Sequence, residues 1–245
     1  TAWRLTGSAG QKLIVDPRHL SGSNPSQYWT LIGPEGQTVN SGYTWGTGDY
    51  SRKLTLPDTG DYVFVLSGES SDATPRSSTV RIGECGESTL AIRLGDQVNA
   101  AIAAPGNLNR YRLVLAEDTT LLLDPQGGNV NLALNGAEGE SINISLNNTT
   151  EYFVRRLAAG TYTLDVSASG AGTPDFGFKV TSLAAANDQG TTATLTGDLP
   201  AGQALSAYRF RVTPGAAYNL DFTTPVRYPD NFHYSLLDTY GRVIG

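Results

Sequence analysis

The chain has 245 residues and a net charge of −6, and only 16% of its residues are charged. An average globular protein is about one quarter charged, so we expect a surface rich in uncharged polar residues. The acidic balance and the absence of any basic cluster argue against nucleic-acid binding, which needs a positive surface to displace counterions from phosphates. No apolar run approaches the roughly 18 residues of a membrane span, so we expect no membrane insertion.

The sequence contains no methionine and a single cysteine, Cys85. Thr1 is therefore not expected to be the translation start, and we interpret the chain as a processed or excised part of a longer protein. One cysteine cannot form an internal disulfide. Cys85 lies between glutamates in a Gly-rich stretch, with no lysine or histidine evident nearby, which predicts an unreactive thiol in a linker.

Three stretches of the chain resemble one another at a spacing of about 100 residues. Each begins with an aromatic-Arg strand, and an aspartate at the end of an apolar strand follows the arginine by 12 residues. The strands are Trp3-Arg4-Leu5, Tyr111-Arg112-Leu113 and Tyr208-Arg209-Phe210, and the aspartates are Asp16, Asp124 and Asp221. If the two strands form a hairpin, each arginine would lie beside its aspartate. We interpret such pairs as a demand of the fold, worth a few tenths of a kcal/mol.

Each stretch continues with turn and strand signals. The glycines Gly36, Gly139 and Gly241 lie in turn-like segments and are expected to supply a positive φ. In the first two stretches a Gly-x-Tyr motif then opens a strand with alternating apolar residues, namely Tyr62, Phe64 and Leu66, and Tyr162, Leu164 and Val166. A period of two predicts that these side chains face a core. Asp16 and Asp124 precede prolines, which predicts a turn there.

Helical signals are almost absent, so the predicted fold class is all-β, with tandem antiparallel β-sandwich repeats. We place a first repeat at residues 1–84, a complete second repeat at 87–184 and a partial third repeat at 190–245. The first repeat lacks the leading strands that 89–104 provides in the second. The segments 83–89 and 184–191 are interpreted as linkers.

The combination of aromatic-Arg strand, Leu-rich strand ending in Asp, glycine turn and Gly-x-Tyr strand resembles bacterial pre-peptidase C-terminal (PPC) domains. Similar repeats occur along large bacterial surface proteins. The resemblance covers most of residues 1–183 and the half repeat after 191, and Gly60-x-Tyr62 and Gly160-x-Tyr162 carry most of it. It implies exported β-sandwiches with jelly-roll-like topology that flank secreted peptidases or build stalks and are not themselves catalytic.

Catalytic and metal-binding constellations are not evident in the sequence. Only two histidines, His19 and His233, occur, and they lie in different repeats. A triad or a His/Cys metal site needs more convergent groups, so we expect no enzyme activity and no cofactor. The oxygen-rich stretches 124–129 and 46–49 raise calcium as an alternative, but both are short of carboxylates, and ordinary turns are favoured.

One segment has the composition of a carbohydrate platform. Tyr43, Trp45 and Tyr50 are interleaved with small polar residues, and a sugar ring can stack on exposed aromatic faces. The second repeat has Ile142, Ile144 and Leu146 at the comparable place, which by their period of two are core residues. We therefore predict that Tyr43 and Trp45 fill a core face, while the ligand platform remains the alternative.

Three functions remain open on the sequence. The leading interpretation is a structural stalk or adhesin spacer at the cell surface or outside the cell, in contact with neighbouring repeats of the same or a similar chain. The second is a module that binds glycan or matrix. The third is an accessory region of a secreted hydrolase.

Overall fold

A computed structural model of the chain describes residues 1–21, 27–44, 51–68, 77–136, 139–147, 152–190, 205–219 and 235–244. In these ranges most residues lie in strands, and the helical content is one short 3-10 helix, Leu183–Ala185. The all-β prediction is confirmed. No helix among the described residues is long and apolar enough to cross a membrane.

The first seven strands form two antiparallel sheets. They are β1 (Ala2–Gly7), β2 (Lys12–Ser21), β3 (Tyr28–Ile32), β4 (Thr38–Tyr43), β5 (Arg52–Thr55), β6 (Gly60–Ser67) and β7 (Ser77–Glu84). One sheet has the order β1-β6-β3-β4 and the other β5-β2-β7. A single hydrophobic cluster takes residues from both sheets, including Val15 of β2 and Trp29 of β3, so the sheets pack face to face. We call this the first sandwich.

The next nine strands form two further sheets, which we call the second sandwich. They are β8 (Glu87–Ile92), β9 (Gln97–Ala101), β10 (Leu108–Leu115), β11 (Thr119–Gly127), β12 (Val130–Gly136), β13 (Ser141–Ser145), β14 (Phe153–Leu157), β15 (Gly160–Ala168) and β16 (Asp175–Ser182). The sheet orders are β13-β12-β15-β10-β8 and β14-β11-β16-β9. Read from its other end, the first order matches β1-β6-β3-β4 with β8 added beside β10. The second order matches β5-β2-β7 with β9 added beside β16.

After the 3-10 helix, only short elements are described. Strands β17 (Asn187–Asp188) and β18 (Tyr208–Arg209) pair in parallel, and an isolated bridge joins Leu237 to Val243. The chain divides into two compact units, Thr1–Ser88 with Ala101–Asn109 and Val166–Pro174, and Thr89–Ala100 with Arg110–Asp165 and Asp175–Gly245. The division into repeats at 1–84, 87–184 and 190–245 stays a prediction.

The alternating residues of the Gly-x-Tyr strands face inward as predicted. Tyr62 and Phe64 on β6 are 0% and 1% exposed, and Tyr162 and Leu164 on β15 are 4% and 0% exposed. Each tyrosine hydroxyl donates to the carbonyl four residues earlier, at 2.6 Å for Tyr62 and 3.0 Å for Tyr162. A buried phenol needs such a partner, so the tyrosine both fills the core and fastens the turn before its strand.

The turn glycines adopt the predicted backbone conformation. Gly36, Gly139 and Gly241 have φ values of 81°, 89° and 82°. This is the left-handed region, in which a Cβ atom is unfavourable. The turns between strands of the three stretches therefore share one glycine requirement.

The predicted pairing of Arg4 with Asp16 is wrong. Arg4 lies on β1 and Asp16 on β2, and these consecutive strands enter different sheets instead of forming a hairpin. The Arg4 guanidinium lies 3.8 Å from the carboxylate of Asp61 on the neighbouring strand β6. Asp16 is 5% exposed and accepts hydrogen bonds from Arg18 Nε at 3.1 Å. The constant spacing thus reflects the length of a crossover between sheets.

Of the other two predicted pairs, one is contradicted and one stays a prediction. Arg112 lies on β10 and Asp124 on β11, again in different sheets, so that pairing is wrong as well. Arg209 forms an ion pair with Asp188 at 2.9 Å, and Asp221 lies outside the described residues.

The predicted turns after Asp16 and Asp124 and the predicted linkers also need correction. No turn directly follows Asp16 or Asp124, because β2 and β11 run on through the following prolines, each with a shift of register within a few residues. Most of the predicted linker 83–89 is strand, since β7 ends at Glu84 and β8 begins at Glu87. The predicted linker 184–191 contains the end of the 3-10 helix and β17, and Thr191 lies outside the described residues.

The Tyr162 position gives a direct test of the core. Tyr162→Ala removes a buried ring and should lower the free energy of unfolding by about 3–5 kcal/mol. Tyr162→Phe keeps the ring and removes the hydroxyl that donates to Ala158, so it should cost about 1 kcal/mol. Chemical denaturation followed by far-UV circular dichroism measures both. A loss below about 1 kcal/mol for Tyr162→Ala would show that this side chain does not face the core.

Candidate functional site: the outer face of the first sandwich

A one-residue bulge in β4 determines to which face of the sheet Tyr43 points. Strand β3 pairs regularly with β4 from Tyr28 opposite Tyr43 to Leu31 opposite Asn40, but Ile32 is opposite Thr38. Val39 is therefore an extra residue. One extra residue moves every later side chain of its strand to the opposite face of the sheet.

The second sandwich has no such bulge at the equivalent place. Strands β12 and β13 pair regularly, with Leu134 opposite Ile142 and Leu132 opposite Ile144. Both isoleucines are half-buried, and Leu146 just beyond them is 0% exposed. Because of the bulge at Val39, the pattern of β13 does not transfer to β4, and the prediction that Tyr43 fills the core is wrong.

Tyr43 instead forms an exposed aromatic pair with Tyr28. The two residues are directly opposite on β4 and β3, and their ring centroids are 4.5 Å apart at an interplanar angle of 49°. Tyr43 is 54% exposed and Tyr28 39% exposed. Sequence reasoning identified Tyr43 as a candidate but missed Tyr28, whose only signal was its position one residue before the buried Trp29.

Short hydroxyl side chains surround the tyrosine pair. Thr30 and Ser41 are opposite each other two residues along β3 and β4, and Ser67 on β6 is opposite Tyr28. Because strand side chains alternate between faces, these residues lie on the same outer face as the rings. We call Tyr28, Thr30, Ser41, Tyr43 and Ser67 the tyrosine platform. It offers aromatic surface and hydroxyl donors and acceptors without a charged group.

The core behind the platform holds it in place. Trp29, which lies between Tyr28 and Thr30, is 0% exposed and stacks on Phe64 with centroids 5.7 Å apart. Gly42 is opposite Trp29, and a Cβ atom at Gly42 would come within 2.9 Å of the indole Nε1. The glycine therefore leaves the space that the indole occupies, and this inward position exists only in the bulged register.

The end of β4 is tied to β3 through polar groups. The backbone N–H of Thr44 donates to the carbonyl of Gln27 at 3.1 Å, and its hydroxyl lies 3.2 Å from the Gln27 side-chain oxygen. Thr44 is fully buried. Trp45 and Tyr50, the other two candidate residues, lie outside the described residues, as does the stretch 46–49 that raised calcium.

The second sandwich presents a different outer face at the equivalent strands. Its outward pairs on β12 and β13 are Asn131 with Ser145, Ala133 with Asn143, and Asn135 with Ser141. No aromatic side chain stands at these positions. The aromatic pair is therefore a property of the first sandwich and not a requirement of the strand arrangement.

The described residues contain no cluster of three or more His, Cys, Asp or Glu side chains that could hold a metal ion. Asp124, in the other stretch that raised calcium, is 4% exposed within β11, and Gln126 Nε2 lies 3.4 Å from its carboxylate. His19 lies on β2 opposite Ser78, and His233 lies outside the described residues.

The surroundings of Cys85 differ from the expectation in one respect. Burial raises the pKa of the Cys85 thiol, and the positive charges of Lys53 and Lys12 lower it by a smaller amount, so that the net pKa lies above its ordinary value. The sequence had suggested no lysine nearby. The neutral thiol is therefore the dominant form at pH 7, as expected of an unreactive cysteine.

No protein-family model matches the sequence, and no curated protein matches it. The structure is similar to the pre-peptidase C-terminal domain of a collagenase from Bacillus anthracis, at 14% identity and a TM-score of 0.34, over 38% of this chain and 95% of that one. It is also similar to the CUB1-EGF-CUB2 region of human MASP-1/3, at 8% identity and a TM-score of 0.24, over 74% of this chain and 92% of that one.

A third similar structure is a tail fiber protein of an E. coli phage, at 11% identity and a TM-score of 0.28, over 73% of this chain and 34% of that one. At these identities and TM-scores the similarity is one of β fold at most.

The Gly42 position tests the register that exposes the platform. Gly42→Ala should lower the free energy of unfolding by about 1–3 kcal/mol, because the new methyl group would overpack against Trp29. Ser41→Ala, one residue away on the outer face, should change it by less than about 0.5 kcal/mol. Thermal or urea unfolding measures both. Without the bulge Gly42 would face outward, and alanine there would be neutral or stabilising.

Proposed function

We propose that this chain is a non-catalytic stretch of β-sandwich modules that acts as a structural stalk or spacer in a protein outside the bacterial cell. The observation that carries this proposal is the correspondence of strand order between the two sandwiches. A region built by repeating one module gains length with each copy, and its stability adds from modules and their interfaces.

The hydrophobic side chains support the same proposal. Buried residues such as Phe64 and Phe178 belong to the sandwich interiors, where their role is packing. Only 16% of the residues are charged, and the outward positions of β12 and β13 carry Asn, Ala and Ser. An uncharged polar surface suits a region that keeps its shape without engaging nucleic acid.

Contacts between the segment 239–241 and the second sandwich support the proposal. The hydroxyl of Thr120 on β11 donates to the carbonyl of Thr239 at 3.2 Å. The Arg156 guanidinium of β14 lies 5.3 Å from the centre of the Tyr240 ring, a cation–π distance. A Cβ atom at Gly241 would meet Val154. The glycine turn at Gly241 thus packs on β11 and β14, as expected if a third module follows the second sandwich.

Pulling on single molecules tests the spacer. A stalk of folded modules should unfold under force in two main steps, each lengthening the chain by roughly 300 Å at about 3.3–3.6 Å per residue. Tyr162→Ala should lower the unfolding force of one step and leave the other unchanged. A single step for the whole chain, or extension without resistance, would contradict independent modules.

The tyrosine platform supports a second candidate function, the binding of glycan or matrix by the first sandwich. An exposed pair of tyrosines among hydroxyl side chains can stack on the C–H face of a sugar ring and hydrogen-bond its hydroxyl groups. The equivalent described positions on β12 and β13 carry no aromatic side chain, which favours a specific role for Tyr28 and Tyr43 over a structural one.

A glycan screen with platform variants tests this second function. If the parent chain binds a glycan, Tyr43→Ala and Tyr28→Ala should each abolish binding while lowering stability by less than about 1 kcal/mol, since both side chains are exposed. Asn143→Ala, on the outer face of the second sandwich, should bind as the parent does. Failure of the parent to bind any glycan would remove this candidate and leave the spacer.

A further inference from the structure

Equivalent positions of the two sandwiches differ sharply in burial. Trp3 on β1 is 50% exposed, whereas Tyr111, at the same place on β10, is 2% exposed. Three further positions show the same difference. Leu5, Val80 and Ile82 are only partly buried, and their counterparts Leu113, Phe178 and Val180 are 0% exposed.

The counterparts on β7 and β16 follow from strand register. Ile82 is opposite Val15 on β2, and Val180 is opposite Leu123 on β11. Val15 and Leu123 each stand one residue before the aspartate shared by the repeats. Ile82 and Val180 are therefore equivalent in strand register as well as in the sequence repeat.

Strands β8 and β9 contribute to the difference, together with Phe176 and Phe178, which pack on Tyr111 where the first sandwich has Ser78 and Val80. In the second sandwich β8 pairs with β10, and β9 pairs with β16. They bring Ile92 and Val98 into the interior, where these side chains are 9% and 8% exposed. In the first sandwich β1 and β7 are the last strands of their sheets, and no described strand pairs with their outer edges.

We propose that the outer edges of β1 and β7, with the exposed side of Trp3 between them, form a strand slot that binds the leading strand pair of another repeat of this kind. One strand of the pair adds beside β1 and the other beside β7, as β8 and β9 do in the second sandwich. The occupant is an extended segment that places an aliphatic side chain from each strand into the slot.

Two physical terms favour this occupant. Exposed strand edges offer backbone donors and acceptors that an added strand can satisfy. The partly buried Leu5, Val80 and Ile82 and the half-exposed Trp3 become covered, and burial of apolar surface is the main favourable term in association. A strand pair satisfies both sheets at once, which a single strand or a folded surface does not.

A peptide of residues 87–104 added to the full chain tests the proposal. Bound peptide should shield Trp3, so that acrylamide quenching of tryptophan fluorescence falls. It should also raise the melting temperature as its concentration increases, because it binds the folded state alone. A control peptide with Ile92→Asp and Val98→Asp should do neither, because it would place charges in the slot. In a Trp3→Phe chain the peptide should leave acrylamide quenching unchanged.

A second arm joins a copy of residues 87–108 directly ahead of Thr1. This fusion should melt at a higher temperature than the parent and should shield Trp3, and the same fusion carrying the two aspartates should behave as the parent does. Shielding in either arm that depends on Ile92 and Val98 supports the slot. The proposal is overturned if Trp3 stays as accessible as in the parent in both arms. It is also overturned if the aspartate versions shield Trp3 equally.

Discussion

Burial of the Gly-x-Tyr tyrosine in each sandwich is the constraint on which the rest of the structure depends. Tyr62 and Tyr162 place their rings in the cores, and each hydroxyl bonds back to a carbonyl four residues earlier. This fixes which residues of β6 and β15 face inward. Since β1, β3, β10 and β12 pair directly or through neighbours with these strands, the inward pattern passes across each sheet by register alone.

The same inward pattern explains how one strand arrangement can present different outer faces. Val39 adds one residue to β4, and from that point Tyr43 faces outward beside Tyr28 while Gly42 faces Trp29. The second sandwich lacks the extra residue and keeps aliphatic side chains turned inward. A single bulge can therefore change an exposed face without changing the strand order or the core.

Much of the fold was predictable because a period of two and a glycine with positive φ are local properties. The sequence indicated the inward faces of Tyr62 and Tyr162 and the turn at Gly36 correctly. The bulge at Val39 was not predictable, since nothing in the strand itself marks an extra residue. The partner of Arg4 was not predictable either, because a spacing of 12 residues fits a crossover between sheets as well as a hairpin.

Amide hydrogen exchange at Arg4 and Arg112 tests the account most directly. The account holds that the two sandwiches share one strand arrangement, and that a further strand pairs with β10 but not with β1. Thr1 and Leu66 exchange hydrogen bonds, and amide directions alternate along an antiparallel strand, so the Arg4 amide points to the open edge of β1. Leu108 N donates to Gly86 O, which turns the Arg112 amide toward β8. Arg4 should exchange rapidly and Arg112 slowly. Equally slow exchange at both would contradict the account.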